Sequence, residues 1–179
     1  ENVTDIEDVK HPAVREIVKF LNYKNGLEIH HDGDLPARTG LGSSSAFTVG
    51  LIQLLMKIQN RDISKDELAK LAIKIERELL HENVGMQDQI ACSYGWINII
   101  SFEYINDSPS YNVSPIPIAK ERQDLLQNQI KLIYTGKQRC SSQVSEKLVS
   151  NLVNISGRIK KDQLRNVEMA YETVSVLEQ

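Results

Sequence analysis

The stretch LPARTGLGSSSAFTVGLIQLL, Leu35 to Leu55, constrains this chain more than any other. From Ser44 to about Gln59, the residues Phe47, Val49, Leu51, Ile52, Leu54, Leu55, Met56 and Ile58 leave almost no polar face. That spacing predicts a helix buried on most sides, so the remaining elements have to be laid around it. Directly in front stand Pro36, two lone glycines, Gly40 and Gly42, and the consecutive Ser43, Ser44 and Ser45. Flexible backbone and hydroxyls are thus concentrated at the mouth of the most apolar helix.

The elements around it read as a mixture. HPAVREIVKFLNYKNG has Pro12 in a first-turn position, apolar residues at Val14, Ile17, Val18 and Leu21, and Gly26 as a stop, which predicts an amphipathic helix. A short strand is expected over Leu27 to His31, followed by a turn-rich segment. ISKDELAKLAIKIERELL opens with Ser64 and Glu67 in capping-box spacing and continues with Leu68, Leu71, Ala72, Ile75 and Leu79 at helical intervals. QDQIACSYG predicts a short helix, WINIISFEY and IKLIYTG predict strands, and NDSPSYNVSPIPIAKERQ a loop or edge strand. After Ser141 the pattern is mostly helical. Helices and strands without regular βαβ alternation favour an α+β fold.

With 179 residues the chain can bury a real core, as one domain or most of one and part of another. Its net charge of −3, with no long basic block, gives no electrostatic reason to expect nucleic acid or an anionic membrane surface. No apolar run approaches the roughly 20 residues that cross a bilayer, and no signal-peptide pattern opens the chain. Cys92 and Cys140 fit neither metal-ligand spacing nor a disulfide framework, which suits a reducing cytoplasm. The triplets beginning at Asn2, Asn112 and Asn154 match a glycosylation acceptor, but nothing else points to secretion. The first residue is Glu1 and not Met, so an upstream portion is expected.

A helix start carries unpaired backbone N–H groups and the positive end of the peptide dipoles. A glycine-rich entry lets those amides wrap a phosphate, and Ser43, Ser44 and Ser45 add hydroxyls for a phosphate oxygen or Mg²⁺. The same residues serve equally as an ordinary cap, since serine caps helices and glycine often precedes them. A Walker loop is excluded, because no lysine precedes the hydroxyl residues.

PARTGLGSSSA resembles the second signature of the GHMP kinases, the galactokinase, homoserine kinase, mevalonate kinase and phosphomevalonate kinase family. Pro36, Gly40, Leu41, Gly42, Ser43 and Ser44 match its pattern of Pro, three variable residues and GLGSSA, with Ser45 inserted before the usual alanine. IERELLHENVGMQDQIACSYGWINIISFE is similar to the family segment in which a glutamate-bearing helix leads to a Gly-x-x-Asp-Gln turn and a glycine-aromatic strand. With LIYTGKQRCSS, the likeness runs over most of Glu1 to Ser145 and is nearest to the heptose 7-phosphate kinase subgroup.

The resemblance implies a GHMP kinase-like two-layer fold whose N-terminal domain is of the ribosomal protein S5 domain 2 type. Residues 1–118 would be that nucleotide-binding domain without its first strands, and residues 119–179 the start of the C-terminal domain. The family's first and third motifs would lie before Glu1 and after Gln179, so the isolated chain is expected to bind nucleotide weakly and turn over little. The implied cofactors are ATP and Mg²⁺. Ser44 and Glu76 would ligate the metal, with Glu78 and Glu82 as alternatives to Glu76, and the loop Gly40 to Ser45 would hold the nucleotide phosphates. Asp88 would be the base or orienting group for the acceptor hydroxyl. An aspartate of ordinary pKa is a weak base for a sugar hydroxyl, so its main work is expected to be orientation, with late proton acceptance.

Residues Gly136 and Arg139, in YTGKQR, would meet the sugar phosphate. Arg38, Arg77 and Lys137 are further candidate phosphate partners, Arg77 and Lys137 more readily read as solvated cations. His30, His31 and His81 lack metal spacing. The implied substrate is a sugar or sugar phosphate, above all the anomeric hydroxyl of D-glycero-D-manno-heptose 7-phosphate. A fucose- or galactose-type kinase and a catalytically silent sugar- or nucleotide-binding member are the alternatives, and a purely structural α+β domain is the blandest.

Overall fold

The computed structural model describes residues 2–33, 40–133 and 157–178, with side chains from residue 164 onward in the last segment. These residues fall into two compact units, one within residues 2–95 and the other made of 96–133 and 157–178. Helices make the first unit; the second adds an antiparallel β-hairpin to two further helices, so the chain is α+β.

In the first unit a single 3₁₀ turn, Ile6–Asp8, leads into α1 (Pro12–Phe20). Pro12 occupies the first turn, and the Nδ1 of His11 accepts from the Val14 N–H at 3.4 Å. Gly26 is not what stops α1. Asn22, at φ 51°, takes the left-handed turn, and the amides of Asn22 and Tyr23 return to the carbonyls of Lys19 and Val18. The strand expected at Leu27 to His31 does not form: these residues are irregular, and no described strand pairs with them to complete a ladder.

Helix α2 (Ser43–Ile58) runs through the core as expected, burying Val49, Leu51, Ile52, Leu55 and Met56. It is less enclosed than its composition predicts. Leu54 and Ile58 are about half exposed, because the surrounding helices cover only part of its circumference. Helix α3 (Lys65–Lys74) carries the reciprocal Ser64–Glu67 capping box and adds Leu68, Ala69 and Ala72 to the core. It then widens into a π turn, Ile75–Leu79, in which the Leu80 amide bonds the Ile75 carbonyl five residues back. Helix α4 (Gln87–Tyr94) packs against α2 and α3 and ends at Gly95, whose φ of 65° the stop requires.

The second unit opens with β1 (Asn98–Ile105) and β2 (Ser108–Pro115), paired antiparallel from Asn98 with Pro115 to Ile105 with Ser108. Asn106 and Asp107, at φ 50° and 59°, form the two-residue turn whose twist suits a hairpin. The proline-rich segment is thus the edge strand that its composition allowed. Helix α5 (Lys120–Gln129) follows, in a stretch whose sequence pattern gave no helix signal. Ile130 to Ile133, expected to open a strand, are irregular, while residues 134–136 of that strand lie outside the described residues. Helix α6 (Gly157–Leu177) confirms the helical pattern at the end of the chain, and Arg122 on α5 donates to the Val176 carbonyl at 2.8 Å.

Candidate active site

The site grows from two helix starts in the first unit. Gly40 and Gly42 both sit at positive φ, 76° and 70°, a conformation that costs other residues about 1–2 kcal/mol. Gly42 is the N-cap of α2, and no side chain caps that end. The contrast with α3 is informative: there a serine closes the first turn, whereas beside three serines the amides opening α2 are left for another acceptor. Ser43 and Ser44 are exposed on this turn, as is Leu41.

Asp88 stands in the first turn of α4 and lies against the loop. A Cβ placed on Gly42 would come within 3.3 Å of the Asp88 carboxyl carbon, so the glycine is needed both for its backbone angle and for this close approach. Residues 46 apart in sequence are thereby held in one place, at the convergence of two electropositive helix ends.

One turn deeper, Ser45 turns away from the loop mouth and into the core. It is 3% exposed, and its hydroxyl donates to Oε2 of Glu76 at 2.9 Å. The side-chain amide of Gln89 donates to the same oxygen. Glu76, carried on the π turn, is 1% exposed. Its second oxygen, Oε1, is buried and has no partner. An unpaired carboxylate oxygen inside a protein is costly, and a cation is the natural group to satisfy it.

The electrostatics tie these groups together. The Cys92 thiol is pushed up by burial and further by the negative charges of Asp88 and Glu76, so both carboxylates act on one point of α4. Glu82 is exposed as a residue, yet the atoms packed around its carboxyl, and then the charge of Glu76, raise it above the ordinary carboxylate range. Glu78 and Arg77 are exposed. Among the described residues no cluster of three or more His, Cys, Asp and Glu side chains forms a ready metal cage.

Pro36, Arg38, Gly136, Lys137 and Arg139 lie outside the described residues. Gln89 is the main residue that sequence reasoning passed over. Its signal was present in its place beside Asp88 and on the α4 face that carries Ile90 and Ser93, where a polar side chain is drawn into the core.

Comparison with known proteins adds the family. Residues 9–96 match the model of the GHMP kinases N terminal domain, a span that coincides closely with the first compact unit. A D-glycero-alpha-D-manno-heptose 7-phosphate kinase from Campylobacter jejuni is 36% identical over 96 residues, 53% of this chain and 28% of the relative. A galactokinase from Pyrococcus furiosus is 32% identical over 124 residues, 68% of this chain and 33% of the relative. A bifunctional fucokinase/GDP-fucose pyrophosphorylase from Arabidopsis thaliana is 27% identical over 145 residues, 81% of this chain and 14% of the relative. The chain therefore spans a third or less of the length of these relatives. With its glycine-serine loop, buried glutamate and Asp88 on three successive helices of that unit, the segment 9–96 is matched by the N terminal domain of the GHMP kinases.

Proposed function

We propose that this chain carries the phosphate-binding and acceptor-activating part of an ATP-dependent sugar kinase, which transfers the γ-phosphoryl group to a sugar or sugar-phosphate hydroxyl. The observation that carries the reading is the packing of Asp88 on Gly42, which joins a phosphate-cradling helix start to a carboxylate that can orient an acceptor. On this reading residues 1–118 form the nucleotide-binding domain and 119–179 begin the next, and the protein works in the cytoplasm.

The residues fit Mg²⁺. The unpaired Oε1 of Glu76 and the exposed hydroxyl of Ser44 are hard oxygen donors, and Mg²⁺ takes one or two protein oxygens beside substrate phosphates. When bound, Mg²⁺ would neutralise phosphate charge as it develops. The amides of the α2 start hold the phosphate oxygens. Asp88 accepts a hydrogen bond from the acceptor hydroxyl, aligns its oxygen, and takes its proton late, so most of the rate advantage comes from positioning. By the sequence resemblance alone, Pro36 is assigned to nucleotide binding, and Gly136 and Arg139 to the acceptor's phosphate.

The acceptor we favour is the anomeric hydroxyl of D-glycero-D-manno-heptose 7-phosphate, on the strength of the Campylobacter relative. Phosphorus NMR tests it, using the protein as its source organism makes it, with the 179-residue chain in parallel. Each is incubated with MgATP and, separately, that heptose phosphate, mannose, fucose or galactose. A new anomeric phosphate on the heptose is the expected result. Product only from galactose or fucose would reassign the acceptor, and ATP binding without product from any sugar would favour a silent binding protein.

A further inference from the structure

We infer that Gln89 is a positioning residue for this site: together with Ser45 it clamps one oxygen of Glu76 so that the other is presented to the cation. The inference rests on the assignment of Glu76 to Mg²⁺ above. Its foundation is the distribution of donors around one carboxylate. Both buried donors, the Ser45 hydroxyl and the Gln89 amide, converge on Oε2, and neither reaches Oε1. A carboxylate with its bonds shared between both oxygens would leave neither oxygen set apart for a metal. Here one oxygen is held from two directions and its twin is left with open lone pairs inside the protein.

The clamp is also oriented. Ionised Glu76 only accepts hydrogen bonds, so the Gln89 amide has to offer its NH₂ group and turn its own oxygen away. That oxygen is buried without a partner, and so is the hydroxyl of Ser93 one turn further along the same helix face. Because Gln89 follows Asp88 directly, anchoring its side chain on Glu76 fixes the first turn of α4, and with it the backbone of the acceptor-orienting residue. One amide thereby ties the metal ligand to the carboxylate that orients the acceptor. Outer groups that orient a metal ligand typically alter metal affinity by 10–100-fold.

The test compares binding of a non-hydrolysable ATP analogue, by calorimetry, in the presence of Mn²⁺ and in EDTA. The ratio of the two affinities reads the metal's contribution separately from the fold and from the phosphate loop. For Gln89→Met, which keeps length and removes the donor, the ratio is expected to fall about tenfold or more, with affinity in EDTA unchanged. Gln89→Leu, which also removes the donor and brings no charge, is expected to do the same and carries the test if Gln89→Met does not fold, as judged by thermal unfolding. Ser45→Ala is expected to lower the ratio less. Glu76→Gln separates the two levels of the argument: an unchanged ratio in that variant removes the metal assignment itself. Collapse of the ratio in Glu76→Gln, with a folded Gln89 variant within twofold of the unsubstituted chain, would overturn the role of Gln89 alone.

Discussion

At the scale of single residues the site depends on a few side chains placed where ordinary stability would not put them. Gly42 is one. An alanine there meets both a φ of 70° and the Asp88 carboxyl, so Gly42→Ala is expected to lower stability by about 1–2 kcal/mol in urea denaturation and to weaken ATP binding as the loop shifts. Glu82 is another. The fold favours its protonated form, so as pH rises from the ordinary carboxylate value to the raised folded one, ionisation in the unfolded chain draws stability away from the native state. Glu82→Gln should therefore raise the urea midpoint at about pH 7 and leave it unchanged below about pH 4, where the carboxyl is protonated in both states. An unaltered midpoint at neutral pH would contradict the burial of the Glu82 carboxyl, which raises it most, and the smaller effect of the Glu76 charge. Asp88 and the loop became legible as candidates through the family resemblance, because glycine and serine at a helix mouth serve equally as an ordinary cap and a single aspartate carries no period of its own. The sequence did not reveal which serine meets Glu76, since the direction of a side chain at a helix start depends on the exact turn at Gly42.

At the scale of elements, local chemistry decided the helices and tertiary pairing decided the rest. The capping box of α3 was readable because both halves of it lie within four residues. Ser64→Ala is expected to cost about 1 kcal/mol in thermal or urea unfolding. Helix α2 was readable from its apolar run, and Ile52→Ala, at a fully buried position, is expected to cost about 2–5 kcal/mol. The strand expected at Leu27 to His31 failed because a strand needs a partner that no local pattern specifies. The π turn at Ile75–Leu79 was hidden for a related reason: apolar spacing continues through it, while the one-residue widening at Glu76 is set by packing against α1 and α3. Helix α5 was missed because its mostly polar face carries no period that separates it from a loop.

At the scale of the whole molecule, the family match, the compact first unit and the site fall on the same stretch of chain. Residues 9–96 match the GHMP kinases N terminal domain, and Gly42, Ser45, Glu76, Asp88 and Gln89 all lie within it. Among the described residues no helix is long and apolar enough to cross a membrane. The most direct test of the central claim is a side-by-side measurement of phosphoryl transfer and ATP affinity in the natural protein and its Asp88→Asn variant. If the loop and Asp88 form one transfer centre, transfer falls by about 10²–10⁴-fold while ATP affinity stays within about twofold. Transfer at the original rate in Asp88→Asn would contradict it.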